Sequence, residues 1–230
     1  MTSLSRLSFL LSMTAGYVDT AGFLALHGLF TAHVTGNFVT LGSSIVYGTS
    51  GTIAKLLALP FFCLTIALVR VFGHLLASRR DVREIRLFLG LKVILLFIAC
   101  VLALVFGAAD GNETVIILVG MPLVIAMAIQ NAVQKIHLSR MPPTTVMTGT
   151  TTQLVIDAVD VFRADPGNDR DAIKDRMKRL GYTAVAFIAG CAAAGILFRY
   201  WNNWCFLAPP CLGIISLVHV WRDASLVAGE

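Results

Sequence analysis

Acidic side chains are almost missing from the first third of this chain: Asp19 is the only one among residues 1–80. Charge is scarce throughout, at 13% Asp, Glu, Lys and Arg, where a soluble domain carries roughly 25%. With 57% hydrophobic residues and a mean hydropathy of +0.81, that scarcity excludes an ordinary soluble domain and indicates an integral membrane protein. Cysteine pairing is lacking too. Cys63, Cys100, Cys191, Cys205 and Cys211 stand singly in apolar runs with no CxxC spacing, so neither a disulfide framework nor a zinc site is indicated. There is no phosphate-binding glycine loop, and no His and Cys or paired acids fall at usable spacing within the apolar runs. The expectation is a protein that is not an enzyme, uses no cofactor or metal, and does not consume ATP directly. The net charge of +5 points to no nucleic-acid partner, because in a polytopic protein a basic excess reports orientation through the positive-inside rule.

What the chain has is long apolar runs. Six can be read, at 7–27, 53–77, 87–108, 114–133, 180–198 and 204–221, with two shorter and more polar stretches at 32–47 and 146–162. A helical span needs about 20 apolar residues, so 230 residues make one membrane domain, 1–230, with no room for a soluble one. Arg6 followed by an apolar run imitates a signal peptide, but the run is long, holds Asp19 and lacks a small-x-small cleavage site, so it reads as the first span.

Whether the two short stretches cross decides the topology, and charge chooses. If neither crosses fully, 14 of the 18 Lys and Arg fall on one side: Arg6, the cluster at 79–86, Lys135, Arg140, the cluster at 163–179, and Arg222. If both cross, the two large clusters land outside, against the positive-inside rule. The expected fold is therefore all-α and polytopic, with six spans, two re-entrant or short helical segments, and both termini in the cytoplasm. Asp165 to Asn168 reads as a turn opening the long charged loop, and 171–179 as either a short amphipathic helix or a solvated loop.

The halves, about 1–110 and 111–230, repeat each other. Thr35-Gly36 and Thr148-Gly149 are 113 residues apart, the same offset carries Leu41 onto Leu154, and a one-residue gap sets Asp19 on Asn131. Three spans per half is an odd number, so the halves insert in opposite orientations, a transporter design with sites near the midplane.

Polar residues inside the runs are the site candidates. A charged carboxylate at bilayer depth costs about 3 kcal/mol on insertion scales, which makes Asp19 a functional candidate able to exchange protons or bind a cation. Ser8, Ser12, Gly16, Asp19 and Thr20 share one helical face, which must face protein or water. The turns Thr35-Gly36-Asn37 and Thr148-Gly149-Thr150 place hydroxyl and amide groups in buried non-helical backbone, tolerated at depth only where protein or a water-filled cavity satisfies it. Gln130 and Asn131 can line the same cavity or simply bond between helices. Arg70 is either a counter-ion for Asp19 or a cation snorkelling to the interface with His74 one turn on. Ala186, Gly190 and Ala194 form a small-residue face for packing within the monomer or in a homodimer. Tyr200, Trp201 and Trp204 read as an interfacial belt.

Gly16-x-x-Asp19, Phe30-x-x-x-x-Thr35-Gly36-Asn37, Gln130-Asn131-Ala132 and Thr148-Gly149-Thr150 resemble the bacterial DUF1275 family, also called the YoaK family, over nearly the whole chain. The resemblance implies a small multi-span inner-membrane protein and leaves the activity open. The expected activity is secondary transport of a small solute or ion, coupled to protons through Asp19. A channel whose filter is formed by the two Thr-Gly turns, and a membrane-embedded enzyme or assembly factor, are the alternatives.

The charge asymmetry yields a test. Reporter fusions at Ser78 and Asp169 should both give a cytoplasmic signal, and a periplasmic signal at both would overturn the re-entrant assignment.

Overall fold

A computed structural model describes residues 3–48, 50–76, 82–110, 112–145, 147–163 and 169–223. The 165–168 turn, Arg79 and Arg80 lie outside the described residues, as do the side chains of His74 and Asp110. Eight α-helices follow in order: α1 (Ser3–Ala25), α2 (Gly36–Tyr47), α3 (Thr52–Leu76), α4 (Val82–Phe106), α5 (Glu113–His137), α6 (Met147–Arg163), α7 (Arg170–Trp201) and α8 (Ala208–Arg222), with short 3-10 turns after α4 and α7. No strand occurs among the described residues. Five helical stretches are long and apolar enough to cross a membrane: 3–25, 52–73, 83–106, 113–137, and the run 170–222 that takes in both α7 and α8. The exposed faces of α3, α4, α7 and α8 carry large apolar side chains such as Leu64, Phe97, Ile188 and Ile215, the surface expected of a chain solvated by lipid rather than water.

Hydrogen bonds sort the helix ends into two groups. At one end Glu113, the first residue of α5, accepts from the backbone N–H groups of Gly51 (2.7 Å) and Ala54 (2.9 Å) at the start of α3. There too the Asn203 side chain, after α7, accepts from Ala109 N–H after α4 (3.1 Å). At the other end the start of α1 meets the end of α8, Ser3 with His219 (3.0 Å), and the start of α4 meets the end of α5, Glu84 with His137 (3.3 Å). Arg6 near the start of α1, Arg83 and Arg86 near the start of α4, Lys135 near the end of α5 and Arg222 at the end of α8 lie toward this second end, called the basic end below. Hence α1, α3, α4, α5, α7 and α8 each run from one end of the molecule to the other.

The short helices do not. α1 stops at a turn in which His27 (φ 52°) and Gly28 (φ 85°) are left-handed and Gly28 N–H bonds back to Phe23. The chain then returns into the body, and α2 starts there and leads back to the end it came from, where Gly51 lies against Leu26 and His27. α2 is pinned to α3 by Lys55 Nζ donating to Ser44 Oγ (2.7 Å), and α6 to α7 by Arg176 donating to Asp157 (2.6 and 2.8 Å). The buried residues of α2 are Asn37 and Ser44, and those of α6 are Thr150 and Asp157, each pair 113 positions apart. The Arg176 guanidinium beside Asp157 holds its carboxyl below the usual carboxylate range.

Packing pairs the helices crosswise. α1 lies most closely on α7 and also on α8, while α5 lies on α3 and α4; α4 meets α8 between them. The α1–α7 seam is a backbone-to-backbone approach: a Cβ on Gly16 would overlap the Phe187 carbonyl, and one on Gly190 the Met13 carbonyl. In lipid such small-residue faces supply van der Waals contact that the hydrophobic effect cannot. Ala186, Gly190 and Ala194 are all buried, so this face is used within the monomer. The charged stretch 171–179 is neither loop nor separate helix but the first turns of α7. Asp169 caps it by accepting from the Asp171 and Ala172 N–H groups (both 3.2 Å).

Gly190→Ala should therefore destabilise by about 1–3 kcal/mol through overpacking, seen as a lower melting temperature in detergent. Gly195→Ala, whose added methyl meets nothing within 4 Å, should be neutral. Equal effects would contradict the seam.

Candidate functional site

Asp19 lies six residues before the end of α1, so about 9 Å inside it at 1.5 Å per residue, and is 4% exposed. The returning segment lays its backbone on the carboxylate. Oδ1 accepts from Thr31 N–H (2.7 Å) and Ala32 N–H (2.7 Å), with longer contacts from His33 N–H and Thr31 Oγ1 (3.4 Å each). Oδ2 lies 2.6 Å from His33 Nδ1. An unpaired buried N–H costs about 1–3 kcal/mol, and a bond to a charged acceptor returns about 1.5–3. One carboxylate therefore makes a non-helical turn tolerable inside the body. Asn37 completes the turn by accepting from Phe30 N–H and donating to Phe30 C=O (2.8 Å each).

The second half holds its own returning segment in a parallel way. Asn131 lies six residues before the end of α5, and its Oδ1 accepts from Thr145 Oγ1 (2.6 Å) while its Nδ2 bonds the Met127 carbonyl (3.0 Å). Gln130 is a hub: Nε2 donates to Leu11 C=O on α1 (2.9 Å) and to Thr144 Oγ1 (3.1 Å), and Oε1 accepts from Lys92 Nζ (2.6 Å). Gln134 Nε2 donates to Met141 C=O (3.1 Å).

The two returning segments touch. The His33 ring, paired with Asp19, lies beside the Thr145 backbone carbonyl and packs edge-on against Phe187 (5.5 Å). His33 sits in the connection between α1 and α2, outside the long helices. Its hydrogen bond to Asp19 holds the imidazole above its usual range, while burial pulls the other way.

Of the residues expected at the site, Asp19, Gln130 and Asn131 hold the segments just ahead of α2 and α6, whereas Gly36-Asn37 and Thr148-Gly149-Thr150 are the first turns of those helices rather than non-helical backbone, with Asn37 and Thr150 buried. Thr35, Thr148 and Gly149 instead face outward, and Gly36 packs on the Phe30 ring. The hydroxyls of the neighbouring Thr151 and Thr152 are satisfied by carbonyls one turn back. Arg70 is exposed on α3, and His33 rather than Arg70 is the partner of Asp19. Sequence reasoning missed His33, Thr144, Thr145 and Lys92 as members of the cluster. The signal for His33 and Thr145 was their place a few residues ahead of the Thr-Gly pairs, and for Lys92 its place as a cation within an apolar run.

A cavity of about 740 Å³ opens at the basic end between α1, residues 140–142 and α7, with Ser5, Ser8, Arg140, Lys178, Arg179 and Asp175 among its lining residues. Ser8 and Ser12, one turn deeper on the same face of α1, are buried and their hydroxyls have no partner. Between them on α1 is Leu11, whose carbonyl accepts from Gln130. Among the described residues no cluster of three His, Cys, Asp or Glu side chains is placed to hold a metal ion.

The chain belongs to the DUF1275 family, described as a protein of unknown function, whose profile matches residues 7–219. No curated protein and no solved structure matches it.

The raised pKa of His33 fixes the sign of a pH dependence. Its bond to Asp19 contributes fully below the unfolded value of about 6.5 and is lost as pH rises through the folded value. The difference in melting temperature between wild type and His33→Gln should be largest at the acid end of a pH 6 to 9 series and shrink upward. A pH-independent gap would contradict the pairing.

Proposed function

We infer, since family membership leaves the activity open, that this protein is an inner-membrane carrier for a small solute, coupled to protons through Asp19 and His33. The supporting observation is the contact across the middle of the chain: His33, held by Asp19 of the first half, reaches the Thr145 carbonyl of the second. The reading takes the six end-to-end helices as six spans and 26–47 and 138–163 as re-entrant segments entering from opposite sides, with both termini and the basic end in the cytoplasm. It takes the halves as an inverted repeat. The crosswise packing favours this, since α1 on α7 and on α8 mirrors α5 on α3 and on α4, and α2 on α3 mirrors α6 on α7. So do the cation pins at Ser44 and Asp157, which are 113 residues apart.

In such a repeat one half rocks against the other around a fixed site. Asp19 and His33 move together, and the bond to Thr145 spans the moving boundary. A protonated His33 donates to both Asp19 and Thr145. Loss of one proton leaves the ring a single donor, which the carboxylate retains, and the Thr145 carbonyl is released. Protonation thus ties the halves together and deprotonation frees them, which is the coupling a proton-linked carrier needs. The lipid bilayer and the solute are the partners this requires, with a homodimer open on the exposed apolar faces of α2 and α6.

Asp19→Asn separates anchoring from coupling. The amide oxygen still accepts from Thr31 and Ala32, and the amide N–H₂ is met by the other His33 tautomer, so the variant should insert and melt nearly as wild type. Flux driven by an imposed pH gradient in proteoliposomes should be lost for any solute the wild type moves. Undiminished proton-driven flux would rule out the coupling role.

A further inference from the structure

We propose that the solute is an anion and that Lys92 is the buried group that meets its charge; this rests on the carrier reading and adds the substrate class. Lys92 is 1% exposed on α4, and its ammonium, with three N–H donors, has the Gln130 amide oxygen as its hydrogen-bond partner (2.6 Å) and no ion pair among the described residues. A buried cation lacking a counter-charge is poorly solvated, and an arriving anion supplies what the protein does not. Asp19 does not fill that role, because its oxygens are taken by His33 and the backbone of 31–33.

The basic end offers an anion an entrance. The 740 Å³ cavity presents Arg140, Lys178 and Arg179 against the single acid Asp175. The positive-inside rule accounts for exposed cations at this rim, but not for what lies behind them. Ser8 lines the cavity wall and is 3% exposed, Ser12 follows at 0%, and neither hydroxyl has a partner. Each can donate to an anion's oxygen. Leu11, between these two serines on α1, gives its carbonyl to Gln130, which also bonds Thr144 and accepts from Lys92. An anion that displaces the Gln130 amide oxygen reaches the ammonium directly, and it does so beside the Thr144–Thr145 segment that His33 holds. A cation would gain nothing from Lys92 and would be opposed at the mouth.

The test is melting of the full chain in detergent, followed by tryptophan fluorescence. Sodium acetate and sodium phosphate are titrated against choline and glycerol at matched ionic strength in a large sulfonate buffer. At least one of the two anions should stabilise saturably. Its half-saturating concentration should rise at least tenfold in the exposed double variant Lys178→Gln/Arg179→Gln, and its effect should vanish in Lys92→Met, which keeps the chain length and removes the charge. Stabilisation by choline or glycerol alone, by none of the four probes, or by anions equally in wild type and the exposed double variant would overturn the proposal. Flux separates the two readings. Choline flux without any anion effect leaves the carrier and removes the anion, whereas saturable anion binding without flux keeps the anion site and removes the carrier.

Discussion

A backbone N–H or C=O inside a bilayer has no water to turn to, so a chain that leaves helical conformation at depth must bring its own partners. In this protein the partner is the Asp19 carboxylate, which collects the N–H groups of Thr31 and Ala32 at 2.7 Å each and the His33 ring at 2.6 Å. That constraint explains why the one acid of the first eighty residues sits inside an apolar run. It also fixes where α2 begins, since the turn cannot end until its donors are spent. The second half meets the same constraint with a neutral set, Asn131 and Gln130 binding the side chains of Thr145 and Thr144. The first anchor is an acid and the second a pair of amides, so the two returning segments are held by different chemistry.

Everything around the anchors serves to keep the returning segments in register. α1 must lie tightly on α7 for Phe187 to back the His33 ring, and Gly16 and Gly190 allow that approach. α2 and α6 are each pinned by a cation on the following helix, Lys55 to Ser44 and Arg176 to Asp157. Glu113 ties the start of α5 to the start of α3, and Asn203 ties the turn after α7 to the turn after α4, so this end is cross-braced between the first four helices and the last four.

Much of this was legible in the residues. The six apolar runs, the offset of 113 and the charge balance led to an all-helical chain with two short helices unlike the rest, because hydropathy and lysine and arginine placement act residue by residue. Asp19, Gln130 and Asn131 stood out because a polar side chain in an apolar run must be satisfied. The identity of their partners was not legible. It depends on how deep the chain returns before the next helix starts, and a shift of two or three residues exchanges His33 for Thr35. For the same reason the Thr-Gly pairs pointed to the right neighbourhood but to the wrong face, since Thr35, Thr148 and Gly149 turn outward. The stretch 171–179 was ambiguous because its composition suits a solvated loop and a helix equally, and the Asp169 cap with the continuous run behind it decides for the helix.

The central claim is that the two returning segments meet at a shared proton site. A density map of the protein in lipid nanodiscs, sharp enough to place side chains around residue 33, tests it most directly. It should show the His33 ring between the Asp19 carboxylate and the Thr145 carbonyl, with 26–35 and 138–145 entering from opposite membrane faces. Straight helices running through either segment from one face to the other, or a His33 ring turned to lipid with Asp19 bonded elsewhere, would contradict it.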